Sequence, residues 1–233
     1  MKIIFFSDAH GNRYAVDSFF ADIKMIEYDK VIFGGDVFGY YYEQDSILSL
    51  LRERHIHCLL GNHDKMFLDL VEGKIDEGFL IERYGNAYKN ITSRISMENI
   101  GFLYSLRSRY EIAADGLKMV FVHGSADDEL NGRIYPDTVI ADGTRYKGIN
   151  FLFAGHTHHK MIKRLSNGCT IINAGSIGQQ RDGNGCSYVV FDTIERSCDF
   201  RVCEYQIEKL LRDIDIRENE RVMKEKLSKV LLR

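Results

Sequence analysis

Several polar side chains of the chemically useful types directly follow short apolar runs of this chain. The clearest case is the stretch 151–159, in which the apolar run 151–154 ends in Gly155 and in a histidine cluster that contains His156 and His158. Neutral imidazole is the commonest protein ligand for a transition metal. Two histidines in alternate positions of an extended or looping chain can point into one site. This stretch predicts a metal-binding role, although a histidine-rich surface turn would give the same letters.

The same pattern recurs four more times along the chain. The other apolar runs end in Ser7-Asp8-Ala9-His10, Gly35-Asp36, Gly61-Asn62-His63-Asp64 and His123-Gly124. In open α/β sheets, ligands bind beyond the carboxyl ends of the strands, so these side chains are expected to converge. The candidate ligands are two carboxylates, one amide and four imidazoles: Asp8, His10, Asp36, Asn62, His123, His156 and His158.

This donor set fits two divalent metal ions better than one. Seven nitrogen and oxygen donors are too many for a tetrahedral ion, and the absence of cysteine argues against a structural thiolate zinc site. Paired ions about 3.5–4 Å apart bind the attacking and leaving oxygens of an in-line displacement. With two carboxylates and a bridging hydroxide, the centre would keep a charge of about +1, which attracts a phosphate. We expect two divalent transition-metal ions, Mn first, with Fe, Ni, Co or Zn as alternatives, and not a calcium cage.

Length and composition restrict the class of protein. With 233 residues, of which 45% are hydrophobic, the chain is expected to fold around one main domain. A formal net charge of −3 gives no basic footprint for nucleic acid or for an acidic membrane, so a small phosphate-ester substrate would be attracted locally. The 5 cysteines include no Cys-x-x-Cys, which indicates reduced thiols. Without a signal peptide or a long apolar run, we expect a cytoplasmic protein.

Apolar strands that alternate with amphipathic helices predict a parallel sheet in the first half of the chain. The strands are predicted at 2–6, 30–33 and 56–60, and the helices at 13–26, 45–54 and through most of 65–106. Asn12 is a plausible N-cap of the first helix, and Asp64 is predicted to cap the helix that follows it.

The second half of the chain is richer in hairpin signals. Asp115-Gly116 and Asn167-Gly168 each separate two apolar runs and predict β-hairpins. The polar segment 125–148 is expected to be a long loop with short helices at the rim of the site. We predict a catalytic domain over 1–205 and an amphipathic, charged helical tail over 206–233, whose last dozen residues are a solvated or frayed helix.

Taken together, these blocks resemble a known family. Asp-x-His, Gly-Asp, Gly-Asn-His-Asp, Val-His-Gly and Gly-His-x-His occur in the order found in the calcineurin-like metallophosphoesterases, over roughly residues 1–204. The stretch 173–181 further resembles the Asn-x-Gly-Ser block of the small prokaryotic phosphodiesterase-like branch. The resemblance implies an α/β fold, a four-layer α/β/β/α sandwich of the metallophosphoesterase type.

The resemblance also implies a role for each residue. One metal would be held by Asp8, His10, Asp36 and His158, and the other by Asp36, Asn62, His123 and His156. His63 would be catalytic, because it would protonate the leaving oxygen or bind the phosphoryl group. The implied activity is hydrolysis of a phosphate ester, a phosphodiester by expectation, through attack of a metal-bound hydroxide. The alternatives are a nucleotide pyrophosphohydrolase, a phosphomonoesterase and a non-catalytic scaffold with this fold.

Residues near the blocks suggest how a substrate would be held. Arg181 could bind phosphate through a bidentate fork or form a structural ion pair. Tyr40 could stack on an aromatic group or pack at the rim, and His159 is a candidate for substrate contact or a solvated neighbour. The stretch 35–40 lacks the Asp and Arg that the serine/threonine protein phosphatases carry there, so protein phosphatase activity is not expected.

Overall fold

The computed structural model describes residues 1–140, 144–183 and 185–232. The strands are β1 (Lys2–Phe6), β2 (Lys30–Phe33), β3 (His57–Cys58), β4 (Arg109–Ala114), β5 (Leu117–Val122), β6 (Phe151–Ala154), β7 (Lys160–Arg164), β8 (Thr170–Ala174), β9 (Cys186–Asp192) and β10 (Ser197–Cys203). The helices are α1 (Arg13–Asp22), α2 (Gln44–Glu53), α3 (Asn62–Val71), α4 (Glu77–Tyr84), α5 (Ile91–Arg94), α6 (Met97–Ser105), α7 (Ile207–Arg217) and α8 (Arg221–Leu231). Short 3₁₀ turns cover Ile23–Met25, Asn86–Tyr88 and Thr144–Tyr146.

These strands form two mixed sheets. The first has the order β10-β9-β1-β2-β3, and the second has the order β4-β5-β6-β8-β7. Strands β1, β2 and β3 are parallel, as are β5, β6 and β8, whereas β9, β10, β4 and β7 pair antiparallel with their neighbours. The parallel strands of each sheet therefore end at one common edge, which is where the polar blocks follow them.

The continuous apolar run of β1 reflects burial on both of its faces. Ile3 and Phe5 point into a core shared by the two sheets, where the Phe5 ring lies 5.9 Å from that of Phe121 and 5.5 Å from that of Phe153. Ile4 and Phe6, which alternate with them along β1, point to the other face of the sheet and pack in the core under the helices. The outer face of the second sheet is covered by Ala126, Ile134, Tyr146 and Ile149. The predicted α/β fold is confirmed.

Two element boundaries differ from the predictions. The predicted strand 56–60 is reduced to His57–Cys58, because the backbone N–H of Leu60 donates to the carbonyl of Arg107 at 2.9 Å instead of continuing along β2. The predicted helix 13–26 continues only as a 3₁₀ turn after Asp22. Its predicted cap is confirmed, since Asn12 accepts a hydrogen bond from the backbone of Ala15.

The C-terminal segment packs on the body of the protein along both of its helices. Leu210 and Ile214 of α7 and Leu227 of α8 are buried in the helical core. The buried Glu218 between the two helices accepts hydrogen bonds from the Tyr42 hydroxyl at 2.8 Å and from the Asn86 backbone at 2.9 Å. The expectation of a merely solvated or frayed end was wrong for α8, because Leu227 is 1% exposed. The division at residue 205 stays a prediction.

No helix in the described ranges combines the length and the apolar character needed to cross a membrane.

Candidate metal centre

The seven candidate ligands converge at the common edge of the two sheets. Each follows a strand or begins the helix after one, as the sequence predicted. Six of them are buried, and Asn62 is half-buried. Their donor atoms fall into two groups that lie on either side of Asp36, one containing His10 and His158 and the other containing His123.

The first group surrounds the Nε2 atoms of His10 and His158. These two nitrogens lie 3.0 Å apart, and the Oδ1 atom of Asp8 lies 3.3 Å from His158 Nε2 and 3.8 Å from His10 Nε2. Oδ2 of Asp36 lies 3.8 Å from His10 Nε2. Donors bound to one metal at about 2.1 Å are themselves separated by roughly 3.0–3.4 Å, so this spacing is close to that of a metal site.

The second group surrounds His123 Nε2. That nitrogen lies 3.0 Å from Oδ1 of Asn62 and 3.3 Å from Oδ2 of Asp36. His156 offers a nitrogen within 4.8 Å of the donors of His123 and Asp36. Asp36 is therefore placed between the two groups and can serve both, as a bridging carboxylate would.

Backbone carbonyls fix the orientation of three of the histidine rings. The Nδ1 atoms of His10, His123 and His158 lie 2.6, 2.9 and 2.7 Å from the carbonyl oxygens of Phe38, Gly34 and Gln179, respectively. A carbonyl only accepts, so each Nδ1 must carry a proton. In the neutral rings of His10 and His158, the Nε2 lone pair is then directed into the centre. Two facing lone pairs 3.0 Å apart, at His10 and His158, repel each other unless a cation lies between them. The donors thus fit a metal ion.

The charge state of the carboxylates also suits cations. Burial alone would raise the pKa of Asp8, but His158, His123 and His10 outweigh it and hold that pKa well below its ordinary value. Burial likewise opposes ionisation of Asp36, and His123 and His63 lower its pKa below the ordinary range. Both carboxylates are therefore ionised at neutral pH in a buried site, which is unfavourable without a positive partner.

Five of the candidate ligands have an unusual backbone conformation. The residues with positive φ are Asp8 (60°), His10 (48°), Asp36 (65°), His156 (65°) and His158 (61°). Left-handed φ is uncommon for residues with a side chain, and such strain concentrates at functional sites. It turns the chain sharply after each strand, so that alternate side chains of one loop reach the same centre.

Asp64 supports the centre from outside it. Its buried carboxylate accepts hydrogen bonds from the backbone N–H groups of Asp36 (2.9 Å), Val37 (2.8 Å), Phe38 (3.1 Å) and Gly61 (3.0 Å). The prediction that Asp64 is the N-cap was wrong, because α3 begins two residues earlier, at Asn62. Asp64 still caps the helix from its first turn, since its carboxylate accepts from the backbone of the N-cap residue Gly61. Asp64 also joins the loop after β2 to the start of α3 and so positions two candidate ligands. Sequence reasoning missed this role.

His63 lies beside the centre with its ring packed among aromatic groups. Its backbone N–H donates to Oδ1 of Asp36 at 2.8 Å, and its Nδ1 lies 3.2 Å from the hydroxyl of the buried Tyr88. Burial lowers the pKa of His63 to about 4, so the ring is neutral at pH 7. A ring nitrogen of His63 also lies within 4.8 Å of the donors of His10 and Asp36. Sequence reasoning did not identify Tyr88 as its partner.

A cavity of about 200 Å³ opens onto these residues. Its floor contains Asp36, Asn62, His63, His156 and His158, and its rim contains Tyr40, Arg83, Tyr84, Arg133, Arg181 and Lys226. A larger cavity of about 600 Å³ lies near His57 and Tyr110, but none of the metal-site clusters of the described residues belongs to it. The smaller cavity is therefore the candidate active site, because candidate ligands line it, although it is not the larger of the two cavities.

The three candidates for substrate contact have different positions. Tyr40 and Arg181 line the cavity, and Arg181 Nη2 lies 3.2 Å from the Tyr40 hydroxyl. His159 is absent from the described lining of the cavity. Its Nδ1 lies 2.7 Å from the carbonyl of Thr157, and its ring lies roughly perpendicular to that of Tyr135, with the ring centroids 5.6 Å apart. The structure therefore does not bring His159 to the site.

Three known proteins are similar to this chain over most of its length. The uncharacterized protein MJ0912 of Methanocaldococcus jannaschii is 29% identical over 225 residues, in a match that covers 89% of this chain and 89% of MJ0912. The crystal structure of a metallophosphoesterase from Sphaerobacter thermophilus superposes with a TM-score of 0.76 at 25% identity, over 98% of both chains. The hypothetical protein PH1004 of Pyrococcus horikoshii shares the fold, with a TM-score of 0.77 at 16% identity over 100% of this chain and 98% of its own.

The family assignment comes from the sequence of the main domain. Residues 1–196 match the model of the calcineurin-like phosphoesterase superfamily domain. The two mixed sheets flanked by helices agree with the fold of the structural relatives. Both observations confirm the metallophosphoesterase type of fold that the sequence blocks predicted. This chain belongs to the calcineurin-like phosphoesterase superfamily.

Proposed function

We propose that this protein is a dimetal-dependent phosphoesterase that hydrolyses a phosphodiester. The observation that carries the proposal is the pair of facing lone pairs on His10 and His158, 3.0 Å apart beside the ionised Asp8. Such an arrangement is repulsive by itself and favourable around a cation. Membership of the phosphoesterase superfamily and the likeness to the Sphaerobacter metallophosphoesterase support the reaction class.

Two ions would be held by the two groups of donors. One ion would be bound by Asp8, His10 and His158. The other ion would be bound by Asn62, His123 and His156, and Asp36 would bind both ions. When bound, such ions lower the pKa of water and stabilise the negative charge that develops on a phosphoryl group. The all-nitrogen-and-oxygen donor set suits Mn, our first choice, and also Fe, Ni, Co and Zn. Asp64 holds the loop of Asp36 in place throughout.

His63 would assist departure of the leaving group. With Tyr88 donating its hydroxyl hydrogen to Nδ1, the neutral ring carries its own proton on Nε2, at the opposite edge. That N–H can donate to a phosphoryl or leaving oxygen in the cavity. A hydrogen bond that strengthens as charge develops lowers the barrier, and help of this kind is typically worth about 10²–10⁴-fold.

A phosphomonoesterase or a nucleotide pyrophosphohydrolase is the second candidate on the same site. The observation that favours it is the number of cations at the rim, because Arg83, Arg133, Arg181 and Lys226 suit a substrate with more negative charge than a simple diester. The resemblance of the stretch 173–181 to the phosphodiesterase-like branch favours the diester instead.

The test is hydrolysis by metal-stripped protein titrated with Mn²⁺. Bis-p-nitrophenyl phosphate and p-nitrophenyl phosphate are compared at equal concentration, with Asp36→Asn as the inactivating variant and Asp69→Asn, on the outer part of α3, as the matched control. We expect metal-dependent cleavage of the diester that Asp36→Asn loses and Asp69→Asn keeps. Turnover that survives Asp36→Asn would refute the dimetal centre. Two bound metals without turnover of any ester would favour a scaffold.

A further inference from the structure

The rim carries four cations that come from four separate parts of the chain. Arg83 lies on α4, Arg133 in the loop after β5, Arg181 in the loop after β8, and Lys226 on α8. In the described part of the chain, none of the ion pairs joins any of these four to a carboxylate. Together they make the opening locally positive, although the chain has a net charge of −3.

Two of the cations lie directly beside the metal centre. Nε of Arg133 lies 3.1 Å from Nε2 of His156. Arg181 contacts the hydroxyl of Tyr40, whose ring centroid lies 4.9 Å from that of His10. These two arginines are placed to contact the phosphoryl group that is cleaved.

The other two cations form a separate pair. The Lys226 ammonium donates to the backbone carbonyl of Arg83 at 2.8 Å, and the Arg83 guanidinium lies 5.8 Å from the centroid of the Tyr84 ring. An ammonium has three N–H donors and a guanidinium five, so these contacts leave most of the donors of both groups available. The pair belongs to helices α4 and α8 and not to the strand ends that carry the ligands.

The charge of the metal centre is already sufficient for one phosphate ester. Two divalent ions with Asp8 and Asp36 ionised would leave about two positive charges, or about one with the bridging hydroxide, which is enough for the single negative charge of a diester. Arg133 and Arg181 add to this. Arg83 and Lys226, which line the same cavity, are therefore in excess of what a single diester group requires. A guanidinium and an ammonium both bind phosphate oxygens, the first through a bidentate fork and the second as a point charge.

We propose that the substrate carries a second phosphate group, in addition to the ester that is cleaved, and that Arg83 and Lys226 bind it. This inference rests on the proposed function of the metal centre. It assigns a role in substrate selection to α4 and to the C-terminal helix α8. The second phosphate can be linked through the first, as in a diphosphate, or through an organic spacer, as in a bisphosphate.

The test compares non-hydrolysable ligands with one and with two phosphonate groups. Binding of phenylphosphonate and of 1,4-phenylene- and alkane-bisphosphonates with one to six carbons is measured by calorimetry on the Mn²⁺-loaded, full-length protein at fixed ionic strength. The ratio of the two affinities is the readout, because two equivalent groups alone give a factor of about two. We expect at least one bisphosphonate to bind about tenfold or more tightly than phenylphosphonate, the value of one hydrogen bond to a charged group.

The variants identify the residues that are responsible. In Arg83→Gln/Lys226→Gln the ratio should fall to about two, whereas Lys229→Gln, an exposed lysine of the same helix that does not line the cavity, should leave it unchanged. The spacer that gives the highest ratio separates the two sources: the one-carbon compound indicates a directly linked diphosphate, and a longer one indicates a bisphosphate. The melting temperature of every variant is measured, to show whether the double variant is folded. If it is not, the ratio is measured with Lys226→Gln alone.

The outcomes separate this proposal from the proposed function. A ratio of about two in the unmodified protein, for every spacer, would overturn the second-phosphate site even if diester hydrolysis is found. An equal loss of affinity for both ligand types in the double variant would overturn it too, since that loss would be general electrostatics. A high ratio that depends on Arg83 and Lys226 would support the site even if the protein hydrolyses neither p-nitrophenyl ester.

Discussion

The metal centre and the rim above it are built in opposite ways. Each candidate ligand follows a strand of one of the two sheets, is largely buried, and has its position set by backbone turns and backbone carbonyls. The rim cations lie on helices and loops far apart in the chain, three of them exposed, with Arg181 half-buried. Rigid strand ends can hold donors to the accuracy that metal chemistry requires, whereas exposed side chains on helices can vary without disturbing that chemistry. Under the proposed function, reaction type and substrate choice would thus belong to different parts of this molecule.

Gly61→Ala tests how tightly the metal centre is packed, and should have the largest effect. A methyl group at Gly61 would overlap the carboxylate and the backbone nitrogen of Asp36. The substitution removes no ligand, yet it must displace the one that both groups of donors share. We expect Mn²⁺ affinity to fall by roughly 10–100-fold, as when a support of a metal ligand is lost, measured by calorimetry on metal-stripped protein.

Gly101→Ala is the matched control for that substitution. Gly101 lies within α6, and a methyl group there would meet nothing within 4 Å. Because alanine favours the helix, we expect unchanged metal affinity and a free energy of unfolding that rises by up to about 1 kcal/mol. Equal metal affinity in Gly61→Ala and Gly101→Ala would mean that the centre tolerates movement of Asp36.

Acid should destabilise the metal-free protein through the buried histidines of the centre. Burial lowers the pKa of His63 and of His156 to about 4, against an ordinary value of 6.5. Between these pH values the unfolded chain binds protons that the folded chain refuses, so stability present above pH 6.5 is lost as the pH falls towards 4. A shift of this size is worth roughly 3 kcal/mol for each histidine. The pKa of His123 shifts in the opposite direction. Burial would lower this pKa, but the neighbouring Asp36 outweighs burial and raises it to about 10.

Thermal melting in a chelator between pH 7.5 and 5 measures this dependence. His63→Asn should flatten the decline, because one of the two groups no longer titrates. His55→Asn is the control, since His55 is exposed and its positive φ of 53° is one that asparagine also adopts. Identical slopes in the two variants would show that His63 does not resist protonation in the folded protein.

Glu218→Gln tests the rim independently of the metal centre. The buried Glu218 holds the junction of α7 and α8 against Tyr42 and Asn86. Replacing a charged acceptor weakens these hydrogen bonds, so we expect a loss of about 1–3 kcal/mol in the free energy of unfolding. Mn²⁺ affinity should not change, but the bisphosphonate preference should fall as α8 loosens. Glu220→Gln, at an exposed neighbour, should stay within about 0.5 kcal/mol of the unmodified protein.

The two regions also differ in how well the sequence predicted them. Positions of the candidate ligands could be predicted because each follows an apolar run directly. Parallel strands end at the same edge of a sheet, so residues that follow them lie close together whatever the rest of the chain does. The hairpin at Asp115-Gly116 could be predicted from the two turn residues alone. Both have the positive φ values, 52° and 73°, that such a turn requires.

Long-range contacts could not be predicted in this way. Lys226 and Arg83 are separated by 143 residues and meet only because α8 packs on the helical layer. The role of Asp64 was missed for a related reason: an aspartate near a helix start reads as a cap, and only the folded loop after β2 shows which backbone groups it binds. Side chains that select a substrate leave no local pattern in a single sequence.

Tyr88→Phe tests the hydrogen bond that joins the helical segment to the ring of His63. The Tyr88 hydroxyl lies 3.2 Å from Nδ1 of His63. Without it, His63 keeps its place but loses the partner that directs its proton to the opposite edge. We expect kcat for diesters with poor leaving groups to fall about fivefold, from the loss of roughly 1 kcal/mol of hydrogen bonding. The KM should change little.

A purely structural effect of Tyr88 would give a different set of rates. If the tyrosine acts through His63, the loss should be small for p-nitrophenol, which leaves readily, and larger for phenol, which needs a proton donor. In a His63→Gln background, Tyr88→Phe should then have no further effect, because the two residues work as one unit. Tyr104→Phe, which removes an exposed hydroxyl bonded to Glu72, supplies the control. Equal losses for both leaving groups, or additive losses with His63→Gln, would mean that Tyr88 only stabilises the fold.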